Sequence, residues 1–159
     1  MATNELRDIY HKLILEHSRR PRNLNIIDNP TMASQGVNPF CGDEVHIQID
    51  LDSSESVKRI GVQTEGCTIN KASASILSEL VEDSSLHKAI NLSRELRKSI
   101  NTDQISSNPL IKALSGVKNI PIRAKCALLS WSILDELIEN HQGQNLHGYK
   151  NNGPTEDIH

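Results

Sequence analysis

Three cysteines and one aspartate have the residue types and the spacing of a metal site. Cys41 and Asp43 flank a single glycine, and Cys67 and Cys126 follow at long intervals along the chain. Residues two apart in an extended turn project to the same side, and the intervening glycine has no side chain to crowd an ion. Zinc prefers thiolates and accepts a carboxylate oxygen, so this set could complete its tetrahedral coordination without histidine. The four residues are therefore a candidate zinc site, with Cys41 and Asp43 as its local half.

Two apolar runs predict the β-hairpin that would position these residues. Strict alternation over residues 45–51 places four apolar side chains on one face, which are Val45, Ile47, Ile49 and Leu51. A polar turn at 52–56 precedes a second apolar, β-branched run at 57–64. Because a hairpin returns the chain to its starting end, Cys41 and Cys67 are expected to meet. The segment before Cys41, residues 29–39, is predicted to be a loop or an irregular edge strand.

Helical periodicity accounts for most of the remaining chain. Apolar residues recur at three- and four-residue steps at residues 6–17, 69–80 and 86–100, in a short turn at 110–114, and from Pro121 to about residue 140. The sequence therefore predicts an α+β fold, with a small antiparallel sheet and helices packed on one of its faces. A single domain is expected over residues 1–140. The polar, aperiodic segment 141–159 is expected to be a flexible tail.

The local surroundings of two cysteines favour the thiolate form. Cys67 lies at the start of the helix that follows the hairpin, where the helix N–H groups stabilise negative charge. Cys126 lies on a wide apolar stripe of the last helix, with Ile122, Leu129, Ile133 and Leu137. On its own it would be interpreted as a small buried hydrophobic residue. Arg123 and Lys125 are close to it in sequence, however, and nearby cations favour the thiolate that metals require.

Composition limits the classes of protein to which the chain could belong. Its 159 residues fit one domain that needs no disulfide, and 36% hydrophobic with 3% aromatic residues indicates a core of Leu, Ile, Val and Ala. A net charge of −3 gives no electrostatic reason to bind nucleic acid or a membrane surface. We find neither an apolar run of roughly 18 residues nor an apolar signal segment. An odd number of cysteines fits a reducing compartment, so a cytoplasmic location is expected.

Three segments carry a resemblance to a known family. Residues 38–43 (Asn-Pro-Phe-Cys-Gly-Asp), 66–75 and 121–131 resemble, in order, the three signature segments of the IscU-like superfamily. Iron–sulfur scaffold members of that superfamily carry a Leu-Pro-Pro-Val-Lys chaperone motif and a histidine directly before the third cysteine. Here Lys125 occupies the place of that histidine, and the chaperone motif is degraded. The long spacing between the second and third cysteines also resembles the SufU branch. Asn70 departs from the family pattern beside the site, where many relatives carry serine.

The resemblance to the SufU branch implies a zinc-dependent sulfurtransferase. Such proteins accept persulfide sulfur from a pyridoxal-phosphate cysteine desulfurase and pass it to downstream iron–sulfur assembly proteins. Cys41 would be the acceptor, and Asp43, Cys67 and Cys126 would complete the zinc ligands. In the family's mechanism a histidine of the desulfurase replaces the cysteine on zinc, which frees it to attack the persulfide. Arg123 matches a family arginine that would steady the freed thiolate.

Two other functions could use the same four residues. Three thiolates and Asp43 could hold iron, so the chain could be a scaffold on which an iron–sulfur cluster is built. The missing histidine before Cys126 favours the sulfurtransferase over that scaffold. The zinc could instead only support the fold of a binding module without chemistry. Structural zinc sites more often use four Cys or His ligands, so the carboxylate in the set disfavours this second alternative.

Overall fold

The computed structural model describes the backbone of residues 2–147 and the side chains of residues 10–143. Its elements in chain order are helix α1 (Ala2–Arg19), strands β1 (Met32–Asn38), β2 (Asp43–Leu51) and β3 (Val57–Glu65), and helices α2 (Thr68–Val81), α3 (Leu86–Asn101), α4 (Pro109–Leu114) and α5 (Pro121–His147), with a 3₁₀ turn at Ser115–Val117. Within these described residues, no helix combines the length and the apolar character needed to cross a membrane.

The strands form one antiparallel sheet in the order β1-β2-β3, which confirms the predicted hairpin. In the central strand Ile47 pairs with Ser34 of β1 and with Val62 of β3. The alternating apolar residues of β2 face the core, where Val45 and Ile47 are buried. The segment before Cys41 is an edge strand, and Cys41 lies in the short connection between β1 and β2. The end of β3 returns the chain to that connection.

Helices cover the buried face of the sheet, which confirms the predicted α+β class. Helix α2 contacts β3, and α5 contacts both β1 and β2. The indole N–H of Trp131 in α5 donates a hydrogen bond to Ser73 Oγ of α2 at 3.0 Å, and both residues are fully buried. Ile122 belongs to the predicted apolar stripe of α5 but is not buried. It lies in the first turn of that helix and is 64% exposed. That turn extends past the core.

Helix α5 continues to His147, beyond the end near residue 140 that the apolar pattern predicted. The apolar period stops there, but glutamine and histidine side chains are compatible with further helical turns. His141 Nε2 also lies 3.0 Å from a carboxylate oxygen of Glu55, in the turn between β2 and β3. The helix therefore extends past residue 141, where the flexible tail was expected to begin. The remainder of the expected tail, residues 148–159, lies outside the described residues.

Candidate metal centre

The turn that carries Cys41 is built around Asn38, the last residue of β1. Its side-chain Oδ1 accepts a hydrogen bond from the Phe40 N–H at 3.1 Å, and its backbone carbonyl accepts one from the Gly42 N–H at 2.8 Å. Gly42 has a φ of +72°, a conformation that glycine adopts without the steric cost of a side chain. These bonds order the backbone of the turn while the Cys41 side chain remains exposed.

Asp43, the first residue of β2, is the buried centre of the cluster. Its Oδ2 accepts hydrogen bonds from the thiols of Cys41 at 2.9 Å and Cys67 at 3.6 Å, and its Oδ1 accepts the Cys67 N–H at 2.9 Å. A side chain at Gly66 would overlap Asp43 Oδ1, and the φ of +126° at Gly66 is strained for any other residue. Gly66 therefore makes room for the carboxylate.

Cys67 is the N-cap of α2, and its sulfur accepts a hydrogen bond from the Asn70 N–H at 3.4 Å. The buried Asn70 side-chain amide donates to the carbonyl of Glu44 at 3.3 Å and to that of Glu65 at 3.1 Å. It thereby joins the start of α2 to the adjacent ends of β2 and β3. The sequence patterns assigned Asn70 no such role, because its partners are brought near it only by the folded hairpin.

Cys126 reaches the cluster from α5. Its sulfur lies 3.4 Å from the sulfur of Cys41, and its side chain is buried. The next residue, Ala127, accepts a hydrogen bond at its carbonyl from Ser73 Oγ of α2 at 2.5 Å. Packing against α2 thus fixes this turn of α5. The structure therefore brings Cys126 in on a buried helix and Cys41 in on a surface turn.

Asp43 and Cys126 have opposite protonation preferences. Burial raises the pKa of Asp43, but hydrogen bonds from the thiols of Cys41 and Cys126, together with those from Cys67, bring it below its ordinary value. Burial, reinforced by the neighbouring Asp43 carboxylate, raises the pKa of the Cys126 thiol. This corrects the expectation that Arg123 and Lys125 favour a thiolate there, because both side chains are exposed while the sulfur faces a carboxylate. A bound cation would reverse the preference of Cys126.

The donor atoms of three of the four candidate residues are close enough together to hold a single metal ion. The ligand atoms of Cys41, Asp43 and Cys126 all lie within 4.8 Å of one another. Cys67 is not one of these three, although its thiol contacts the same Asp43 oxygen at 3.6 Å. Three sulfurs and one carboxylate oxygen are a donor set that zinc accepts. The buried Asp43 carboxylate is ionised and accepts hydrogen bonds from the thiols of Cys41 and Cys67. A bound cation would take the place of these thiol protons.

Exposed apolar side chains lie on the two segments that lead to Cys41 and Cys126. Val37 and Phe40, on the strand and the turn that lead to Cys41, are 60% and 75% exposed. Ile120 and Ile122, at the start of α5, are 47% and 64% exposed. Large apolar side chains that gather around one functional group are typical of a surface that contacts another protein.

Comparison with protein families gives one match that spans most of the chain. The family described as the NifU-like N terminal domain matches residues 9–147. This range contains all four candidate ligands and every element from the middle of α1 to the end of α5.

Two relatives illustrate what the chain resembles in sequence. It is 29% identical over 140 residues to the zinc-dependent sulfurtransferase SufU of Bacillus subtilis (strain 168), and the alignment covers 86% of this chain and 94% of that relative. It is 31% identical over 145 residues to the iron-sulfur cluster assembly scaffold protein IscU of Streptococcus pyogenes serotype M1, and the alignment covers 87% of this chain and 88% of that relative.

Solved structures are similar to most of the chain. FiSufU, a SUF-system protein of Fervidobacterium islandicum AW-1, has a TM-score of 0.74 at 26% identity and covers 80% of this chain and 94% of its own. The N-terminal part of a NifU-like protein from Brucella abortus has a TM-score of 0.77 at 16% identity, which supports the fold alone. The coverage shows that the similarity extends over most of the chain.

Proposed function

Because the chain belongs to the NifU-like N-terminal domain family, we propose that it acts in iron–sulfur cluster assembly as a zinc-dependent sulfur acceptor. The similarity to a zinc-dependent sulfurtransferase SufU over 86% of the chain supports this activity. A cysteine desulfurase would donate persulfide sulfur, and downstream iron–sulfur assembly proteins would receive it. The three free cysteines also support the expected cytoplasmic location, where thiols remain reduced.

The zinc would be held by Cys41, Asp43, Cys67 and Cys126. Bound zinc would keep coordinated thiols deprotonated and shielded from oxidation. Three of the four residues belong to well-anchored backbone. Asp43 is fully buried at the start of β2, Cys67 is bonded through its N–H to Asp43, and Cys126 lies in the packed part of α5. These three residues are suited to retain a ligand while the fourth reacts.

The observation that carries the proposal is the exposure of Cys41 on a turn that contains Gly42. A surface turn with a glycine can move a sulfur by a few ångströms through local backbone change alone. The neighbouring Cys126 sulfur cannot move in this way without displacing packed side chains of α5. Cys67 is exposed as well, but it caps α2 and its N–H is bonded to Asp43, so its backbone is fixed. Cys41 is therefore the thiol best placed to meet a group on another protein.

In the proposed transfer, the Cys41 thiolate attacks the outer sulfur of the desulfurase persulfide. A new S–S bond forms at Cys41 Sγ, the donor's S–S bond breaks, and its electron pair leaves on the desulfurase cysteine as a thiolate. One S–S bond replaces another, so the step needs no oxidant or reductant. Asp43 Oδ2, 2.9 Å from Cys41 Sγ, is placed to orient that sulfur before it leaves the cluster.

An iron–sulfur cluster scaffold is the second candidate function. It is favoured by the 31% identity to a scaffold protein IscU and by the ability of the same thiolates to hold iron. The two functions differ in what they require of the desulfurase reaction. A sulfur acceptor removes persulfide from the desulfurase and should therefore raise its turnover, and the zinc-dependent form of this activity needs the metal.

The test is the turnover of a SufS-like desulfurase with cysteine, measured as alanine produced with and without the purified chain. We expect stimulation that is lost after chelation, is restored by zinc, and is absent with Cys41→Ala. Stimulation that survives complete removal of zinc would contradict the zinc-dependent acceptor and favour the scaffold.

A further inference from the structure

Phe40 and Lys125 make a contact beside the cluster that the transfer step itself does not use. The Lys125 ammonium lies 4.1 Å from the centre of the Phe40 ring, within the range of cation–π attraction. These residues directly precede Cys41 and Cys126 in the sequence. Each is thus the sequence neighbour of a cysteine of the cluster, and the sulfurs of those two cysteines lie 3.4 Å apart.

The contact joins a surface turn to a fixed helix. Phe40 is 75% exposed, so burial of its ring contributes little to holding the turn in place. The hydrogen bond from Phe40 to Asn38 uses the backbone N–H and leaves the ring unrestrained. Lys125, in contrast, belongs to a turn of α5 whose next two residues, Cys126 and Ala127, are buried. The ring is therefore tied to a packed turn of α5.

We infer that this pair, the Phe40–Lys125 latch, holds the Cys41 turn against α5 and keeps the Cys41 sulfur beside Cys126 until a partner docks. The inference rests on the proposed role of Cys41 as sulfur acceptor. Phe40 and Lys125 are positioning residues, since neither donates an atom to the reaction. Because its ring is exposed, Phe40 is also accessible to a docking protein, which would release the turn by taking the ring from Lys125.

The strength of an exposed cation–π contact suits such a latch. It shifts a local equilibrium by about two- to five-fold at an exposed site. That is enough to bias the turn toward the closed position. It is also weak enough for the contacts of a docked partner to overcome.

A double-mutant cycle on the labelling of Cys41 tests the latch. The 159-residue chain is treated with chelator and shown to be folded by circular dichroism. It then reacts with iodoacetamide at one fixed pH, and mass spectrometry gives the labelling rate of Cys41. We expect Phe40→Leu to raise this rate by about two- to five-fold. In the Lys125→Gln background, Phe40→Leu should have no further effect. Comparing the effect of Phe40→Leu between backgrounds cancels the change in charge that Lys125→Gln itself causes.

Two further backgrounds separate the latch from general electrostatics. Arg123→Gln removes another exposed cation from the same helix, and there Phe40→Leu should keep its full effect. Lys125→Arg retains a cation for the ring, so Phe40→Leu should keep its effect there as well. The inference would be overturned if Phe40→Leu had the same effect in the Lys125→Gln background as in the unmutated protein. It would also be overturned if Phe40→Leu had no effect in any background. Neither result bears on sulfur transfer, because the labelling needs no desulfurase and no metal.

Discussion

The sulfur of Cys41 lies 3.4 Å from the sulfur of Cys126, although the two residues are 85 positions apart in the chain. The first sulfur is carried by the turn between β1 and β2, and the second by a buried turn of α5. Their contact therefore requires the sheet and the last helix to be docked together. A metal bound by both sulfurs would couple its affinity to that docking, so the metal and the fold should respond to the same substitutions.

Gly66→Ala should destabilise the protein and weaken metal binding together. The added Cβ would overlap Asp43 Oδ1, and the φ of +126° is strained for alanine. We expect a loss of about 1–3 kcal/mol in the free energy of unfolding, measured by urea denaturation, with reduced zinc content. Gly116→Ala is the matched control, because a Cβ there meets no atom within 4 Å, and it should change stability by less than about 0.5 kcal/mol. Equal effects of the two substitutions would contradict the role given to Gly66.

Cys126→Ala should lose the stabilisation that zinc gives to the unmutated protein. A ligand that binds only the folded state stabilises it by about 2.7 kcal/mol at a free concentration one hundred times its Kd. Cys126 would be the ligand that joins α5 to the sheet, so without it the increase in Tm on adding zinc should largely disappear.

The control for Cys126→Ala is Ser130→Ala, one helical turn later in α5. Ser130 is fully buried, and its hydroxyl has no hydrogen-bond partner among the described residues. This variant should keep both the zinc content and the zinc-dependent increase in Tm. A Cys126→Ala variant that retains the full increase would show that the buried sulfur does not hold the metal.

His17 should make stability depend on pH in the range just below neutrality. It is 2% exposed, with Nδ1 2.8 Å from Ser75 Oγ. Burial and the neighbouring Arg22 lower its pKa from 6.5, although Glu79 and Glu16 oppose them. The unfolded chain takes up a proton below pH 6.5 that the folded protein does not, so the free energy of unfolding should fall as the pH decreases.

Urea denaturation between about pH 7.5 and 5.5 measures this dependence. His17→Gln should show a shallower decline, by up to about 1.4 kcal/mol per pH unit, because the proton uptake of the unfolded state at this position is removed. Parallel stability curves for the two proteins would contradict the assignment to His17.

Periodic patterns were sufficient to predict the elements that position the site. The alternation of Val45, Ile47 and Ile49 identifies a half-buried strand because a strand's side chains change face at every residue. Once that strand is paired with the next run, the ends that carry Cys41 and Cys67 must be neighbours. The α+β class follows from the same pattern together with the helical periods that come after it.

Contacts between distant side chains could not be predicted in this way. Ile122 was expected in the core and is 64% exposed, because a helical stripe identifies a face but not how far along the helix the core extends. The cations near Cys126 in sequence were expected to favour its thiolate, whereas the folded chain places Asp43 against that sulfur. Gly66 has its role for the same reason, since only the folded hairpin brings the carboxylate to it.

The role of Cys41 as sulfur acceptor is tested most directly by the position of the persulfide after incubation with a SufS-like desulfurase and cysteine. Thiols and persulfides are trapped by alkylation and assigned to individual cysteines by mass spectrometry. We expect the extra sulfur mainly on Cys41, and none on a Cys41→Ala variant that keeps its fold by circular dichroism. Extra sulfur mainly on Cys67 or Cys126 of the unmutated protein would show that Cys41 is not the acceptor.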